Sequence, residues 1–179
     1  MFALFRKKVG EPSITDKVTI SEIAKLKAMH LYWESDRNSA FIFWFDESLR
    51  KAESYFAGQP TAPVTLLNYK EANSYSLSGK NPVFAEHYPL RRKEEELFKK
   101  LNVKSIIIFS SLEEPLLKHF GGEKIINIMK QLGIKENEVI EHRMISKAIL
   151  HAQNKIEKKV LIDQFANAQD DWFKKNFSA

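Results

Sequence analysis

The sequence predicts an α/β protein: a mainly parallel sheet with flanking helices, followed by a helical C-terminal extension. Three observations carry this reading. Two continuous apolar runs, Ala40 to Phe45 (AFIFWF) and Ile106 to Phe109 (IIIF), suit strands covered on both faces, as in a parallel sheet. Segments of helical apolar spacing alternate with the strand-like runs. After Ser111 every further segment reads as helical.

Taken in order, Thr19 to Trp33 begins with a plausible cap, Ser21, and carries Ile23, Leu26, Met29 (or His30) and Trp33 at helical spacing. The strand Ala40 to Phe45 follows. Asp46 and Ser48 then cap a helix through Ala57, which Gly58 and Pro60 terminate. Pro63 to Leu67 reads as a short strand, Asn68 to Lys80 as a polar loop broken by Gly79, and Pro82 to Ala85 as another strand. Lys93 to Leu101 forms a helix with Leu97, Phe98 and Leu101 on one side, and Lys104 to Ser110 the next strand. Four helices complete the chain: Glu113 to Phe120, Glu123 to Leu132, Ile145 to Lys159 and Leu161 to Phe177. The expected organisation is a tail over 1–14, an α/β domain over 15–120, and a helical extension over 121–179 packed on it.

Composition bounds the function. The 179 residues suit one domain. With 44% hydrophobic and 28% charged residues the chain is globular rather than disordered. The absence of cysteine excludes disulfide scaffolds, thiolate metal sites and thiol catalysis, and fits a reducing cytoplasm. The net charge of +5 is interspersed and marks no nucleic-acid stripe. The opening MFALFRKK reverses the order of a secretory signal, and no stretch approaches the ~18–20 apolar residues of a membrane span. Phe2, Leu4 and Phe5 beside Arg6, Lys7 and Lys8 offer a contact to an anionic membrane surface, although a frayed or locally docked terminus accounts for them more simply.

Motifs for catalysis are absent. The six glycines form neither G-x-G-x-x-G nor G-x-x-x-x-G-K, the five histidines have no metal-ligand spacing, and no serine sits in a G-x-S-x-G elbow. Glu113 and Glu114 invite an acid–base role, but carboxylates in a first helical turn complement the helix dipole. His87, Arg91 and Arg92 form the one candidate anion site, because they follow a strand and stand at a helix N-terminus. Solvation of that helix start is the competing reading. Near the C-terminus Leu161, Phe165, Ala168 (or Gln169), Trp172, Phe173 and Phe177 form an apolar stripe. It is expected to fold back onto the α/β body. The rival is an interaction surface of Trp172, Phe173 and Phe177 for a partner or a second copy.

The stretch LEEPLLKHFGGEKIINIMKQLGIKENEVIEHRMISKAILHAQNKIEKKV from Leu112 is more specific. It resembles the protein-translocase motor ATPase SecA, where the second RecA-like lobe runs into the helical scaffold. The family pattern is roughly S-x-E-D-x-L-M-x-x-F, then I-x-x-x-M-x-x-L-G-M-x-x-x-E-x-I-x-H and S-K-x-I-x-x-A-Q-x-K-V-E. Ser111, Glu113, Glu114, Phe120, Met129, Leu132, Gly133, His142, Ser146, Lys147, Gln153 and Glu157 fall in register with it. More faintly, Thr15 to Ala28 resembles the entry to that lobe, Phe41 to Phe56 its strand and helix V-L-V-G-T-x-S-x-x-x-S-E-x-x-S, and Leu67-Asn68 with Lys70 its L-N-A-K. Val83 to Leu97 resembles V-I-G-T-E-R-H-E-S-R-R-I-D-x-Q-L, which sets Glu86, Arg91 and Arg92 on the family's Glu and Arg-Arg positions.

The resemblance implies a P-loop NTPase-type second lobe, and the departures from it bear on activity. The family's G-R-G-T-D loop would fall between Lys70 and Asn81, where the chain reads EANSYSLSGK. Its G-R-x-G-R-Q-G loop would fall between Leu97 and Ser105, where the chain reads FKKLNVK. The Walker residues of the first lobe have no counterpart either. The expectation is therefore a stand-alone, degenerate relative without ATPase activity or cofactor, acting as a protein-interaction module linked to translocation. A nucleotide- or anion-binding module and a nucleic-acid-binding lobe are the alternatives. A protein partner from the translocation machinery is expected, a homodimer is admitted, and nucleic acid is disfavoured.

Overall fold

The computed structural model describes residues 12–60, 63–131 and 133–177. Phe2, Leu4, Phe5, Arg6, Lys7, Lys8 and Leu132, which entered the sequence reading, lie outside them. The described chain runs β1 (Ser13–Thr19), α1 (Glu22–Ser35), β2 (Ser39–Phe43), α2 (Asp46–Ala57), β3 (Thr65–Asn68), β4 (Asn81–Phe84), α3 (Arg91–Leu101) and β5 (Ser105–Ser111). Four helices follow: α4 (Pro115–Lys118), α5 (Gly122–Gln131), α6 (Arg143–Glu157) and α7 (Gln169–Asn176).

The five strands form one all-parallel sheet in the order β1-β5-β4-β2-β3. Helices cover both faces, and the alternation within each strand shows why. On β2, Phe41 and Phe43 meet Leu26, Met29 and Trp33 of α1 and Phe56 of α2, whereas Ile42 turns to the opposite layer. There Phe84, Ile106 and Ile108 pack under Leu97 and Phe98 of α3 and Ile149 and Ile156 of α6. A strand with a helix on each side has no solvent face to keep polar, hence the unbroken apolar runs. Among the described residues no helix is long and apolar enough to cross a membrane.

Neither Asp46 nor Ser48 caps α2, whose N-cap is Phe45 without a side-chain bond, because Asp46 accepts from Asn68 and Ser48 donates to Glu86. Two longer stretches of the chain also differ from the sequence reading. Residues 13–19 form β1, which the spacing does not announce because Thr15, Asp16 and Lys17 interrupt any apolar pattern. Parallel pairing along its length with β5 supplies the strand with its order. On its other side the N–H of Val18 donates to the Ile140 carbonyl (3.0 Å) and the N–H of Ile140 to the Val18 carbonyl (2.8 Å).

The expected helix from Leu161 is confined to α7, and residues 158–168 form an irregular strap. Specific polar contacts outcompete helix here: Nη2 of Arg92 donates to the Val160 carbonyl (3.2 Å), and the Glu47 N–H to the Asn167 carbonyl (3.0 Å). The Asn176 side chain accepts from the Gln164 N–H (2.7 Å) and donates to the Gln164 carbonyl (2.9 Å). Leu161 and Phe165 are consequently exposed, outside the apolar stripe expected of them.

Candidate functional site

A parallel sheet gathers the C-terminal ends of its strands and the N-termini of the following helices at one edge, where open α/β sheets bind ligands. That edge holds a cleft of about 220 Å³ between the starts of α1, α2, α4 and α7. Helix N-termini carry unsatisfied N–H groups and partial positive charge, so such an edge favours anions.

Here the chain's own side chains occupy those donors. Oε1 of buried Glu86 accepts from the N–H groups of Trp44 and Phe45 (both 2.9 Å) just ahead of α2, and its Oε2 accepts from the Ser48 hydroxyl (2.7 Å). Glu113 Oε2 accepts from the Glu22 N–H (2.9 Å) at the first turn of α1, where the Ser21 hydroxyl also takes the Ala24 N–H (3.3 Å). Gln169 Oε1 accepts from the Leu116 N–H of α4 (2.8 Å) while its Nε2 donates to the His87 carbonyl (3.1 Å). Ser21 is thus the cap that its sequence position suggests. Glu113 complements a helix N-terminus, though that of α1 rather than its own.

Lys25 sits at the floor. Its Nζ lies 2.7 Å from Glu114 Oε1 and 3.0 Å from Glu22 Oε1, with the lysine side chain 1% exposed. Burial favours the neutral amine, but Glu114 and Glu22 outweigh it and hold the ammonium above its ordinary range. Burial also raises Glu22, yet Lys25 brings its carboxyl below the usual value. For Glu86, burial pushes the carboxyl up to about 7 despite Lys25 and its hydrogen bonds, with Glu114 adding repulsion. Glu114 also accepts the Ser111 N–H through Oε1 (3.0 Å), while its Oε2 is buried with no hydrogen-bond partner among the described residues.

His87, Arg91 and Arg92 are held in a different cluster. His87 is buried with Nδ1 2.8 Å from Glu94 Oε1 and Nε2 3.0 Å from Asp16 Oδ1, a geometry in which both ring nitrogens donate. Burial opposes the imidazolium, but these two carboxylates prevail and push the pKa up to about 10. Burial likewise works against the Asp16 carboxylate, and the His87 contact brings it below its ordinary value. Arg91 pairs with Glu94 (3.3 Å) and Glu95 (3.1 Å). Arg92 directs its guanidinium to Val160 and its N–H to Glu157 Oε1 (2.7 Å). The three residues expected to converge on an anion are engaged with internal acceptors.

The aromatic residues of the C-terminal stripe meet the body. Trp172 is 0% exposed, Phe173 is buried, and Phe177 is half-buried beside Phe120 and Phe173. Trp172 Nε1 donates to Asp163 Oδ1 (2.7 Å), the carboxylate that also accepts from the Tyr88 hydroxyl (2.8 Å). Trp172 and Phe173 therefore offer no free surface.

Sequence reasoning passed over Lys25 and Glu22, which look like an ordinary solvated pair on a helix. The local signal was their i,i+3 spacing beside the Ser21 cap. The convergence with Glu86 and Glu114 depends on strand order, which no local window contains.

No protein-family profile matches the chain. Among curated proteins, part of it is similar to protein translocase subunits SecA. It is 47% identical over 51 residues to the SecA of Psychrobacter cryohalolentis, covering 28% of this chain and 6% of that protein. The SecA of Parabacteroides distasonis is 49% identical over 53 residues, covering 30% of this chain and 5% of the relative. That of Syntrophus aciditrophicus is 53% identical over 49 residues, or 27% and 6%. The chain thus spans only a small fraction of the length of the relatives it matches. The likeness and the α/β fold agree: the chain resembles a segment of SecA and carries an all-parallel sheet consistent with a RecA-like lobe.

Proposed function

We propose that this chain is a non-catalytic, SecA-like domain that acts through protein contacts in protein translocation. The observation that carries the reading is the occupation of the helix N-termini at the strand edge by Glu86, Glu113 and Gln169. A nucleotide phosphate at this edge would have to displace two carboxylates from their N–H donors. It would also meet a lining in which Glu22, Glu47, Glu86, Glu113, Glu114 and Asp170 outnumber Lys25, Lys51 and Lys118.

The connection from α3 to β5 supports the same reading. Asn102, at φ 52°, ends α3 and leads within three residues into β5, which leaves no span for a phosphate-holding loop. An arginine finger contributes ~10³–10⁵ in rate only where a phosphate is held for it. The similarity to SecA supports the translocation context.

The test has two arms. The purified chain is assayed for ATP hydrolysis, with background turnover expected; turnover abolished by Arg91→Ala and Arg92→Ala overturns the reading. Its binding to purified SecA and to the other translocase components of its own cell is then measured by analytical ultracentrifugation. A complex is expected, and no association with any of them removes the translocation link.

A further inference from the structure

We propose that the strap over 158–168 is a docking surface for a segment of a protein partner in which Asp or Glu alternates with large apolar residues. This rests on the protein-interaction reading above and names the contact and the chemistry of what it takes.

The first observation is apolar exposure concentrated in one short stretch. Leu161 is 88% exposed, Ile162 78% and Phe165 52%. Elsewhere among the described residues the exposed large apolar side chains, such as Leu31 and Met144, stand apart along the chain. Single exposed apolar residues are ordinary on a surface, whereas a cluster marks a contact. The backbone beneath is fixed. Buried Val160, Ala166 and Ala168 pin it to the body, and Asp163 accepts from the Tyr88 hydroxyl and the Trp172 ring N–H. The carbonyls of Val160, Gln164, Phe165 and Asn167 accept from Arg92, Asn176, Lys175 and Glu47. Recognition therefore goes through the outward side chains and not through an edge open to strand addition.

The second observation is charge. Lys70 Nζ lies 4.1 Å from the centre of the Phe165 ring, and Lys175 Nζ donates to the Phe165 carbonyl (3.3 Å). Lys158 and Lys159 stand just ahead of Val160. All four lysines are exposed, and none forms an ion pair among the described residues. The neighbouring acids are engaged within the chain: Glu157 by the Arg92 N–H, Asp171 by Lys174 and Glu71 by the Asn68 N–H. Ammonium groups around an apolar ridge complement carboxylates interleaved with apolar side chains. A membrane surface fits less well. Interfacial anchors sink an apolar face about 5–10 Å into the headgroup boundary, whereas these side chains rise from a backbone pinned to the body, with Lys70 over the Phe165 ring.

The test titrates acetyl-Asp-Leu-Glu-Phe-Asp-Leu-Glu-amide into the ¹⁵N-labelled full chain. Two counterparts are run beside it, one with Asn and Gln for the acids and one with Ala for the apolar residues. Shifts are expected at the amides of Leu161, Ile162 and Phe165, with binding about tenfold weaker for either counterpart. Leu161→Asn/Ile162→Asn should weaken binding about tenfold or more, and Lys70→Gln/Lys175→Gln a few-fold. Leu31→Asn, exposed on α1, should leave it unchanged. If a variant fails to fold, the counterpart peptides on the wild-type chain decide. No shift at these amides, or equal binding of the uncharged counterpart, overturns the proposal. Sedimentation with phosphatidylglycerol vesicles in place of peptide shifts would assign the strap to a lipid surface instead. Broadening of these amides with chain concentration, without peptide, would assign it to a second copy. Should the peptide fail while the translocase complex forms, the strap assignment falls and the interaction reading stands. ATP turnover would remove the interaction reading instead.

Discussion

The ammonium of Lys25 lies 2.7 Å from the carboxylate of Glu114, joining the first turn of α1 to the residue that precedes α4. Both groups are withdrawn from water, so each depends on the other for compensation. Breaking a buried pair from one side leaves an uncompensated charge, whereas replacing both partners by apolar groups is often neutral. Lys25→Met alone is expected to cost about 3–5 kcal/mol in urea unfolding. Lys25→Met/Glu114→Leu should recover a substantial part of it. Additive losses would show that the two residues are not coupled.

The imidazolium of His87 ties β1 to α3 through Asp16 and Glu94. Its folded pKa is raised to about 10 from 6.5, so its contribution to stability is fully present below about pH 6.5 and is lost as pH rises through 10. Melting temperature should therefore fall with increasing pH above neutrality. In His87→Gln that fall should be shallower than in the wild type, and the variant should be less stable at pH 6. Parallel pH profiles for the two proteins would contradict this assignment.

Glu86 acts in the same sense, in a lower pH window. Its folded pKa is raised to about 7 from 4.5, so the folded state binds more protons than the unfolded one between those values, and stability declines across that window. Glu86→Gln should flatten the decline while retaining acceptors for Trp44 and Phe45. Glu86→Ala leaves both N–H groups unpartnered and should cost about 1–3 kcal/mol for each one that stays so. Circular-dichroism melts at pH 5 and pH 7.5 separate the two variants.

Trp172 fixes α7 to the body through packing against Tyr88 and Phe173 and through the Asp163 hydrogen bond. Trp172→Ala should destabilise the fold by about 3–5 kcal/mol, in the range of large buried aromatics. Trp172→Phe should cost less, because Asp163 keeps the Tyr88 hydroxyl as a donor. An unchanged melting temperature on deleting 161–179 would contradict docking of this segment.

How much of this was legible follows from which forces are local. β2 and β5 announce themselves because burial on both faces demands unbroken apolar runs, and α1 because Ser21 caps it by a contact three residues away. β1 and the 158–168 strap were hidden. The polar residues of β1 find partners that a local window omits: Asp16 meets His87, and Lys17 pairs with Glu141. The strap owes its path to Arg92, Glu47 and Asn176, each contributed by another element. For the cleft, Glu113 and Glu114 drew notice as a pair. Only the parallel order of the strands sets them against α1 and Glu86.

The pairing of the first strand with the last has a consequence in time. The Ser13 N–H donates to the Lys104 carbonyl, 91 residues further along. At ~5–20 residues per second of synthesis, β1 waits on the order of 5–20 s before its partner has been made. Throughout that interval SITDKVT lacks the β5 partner with which it pairs in the folded chain. The adjacent charges of Asp16 and Lys17, which obscured the strand in the sequence, discourage intermolecular sheet formation until β5 arrives.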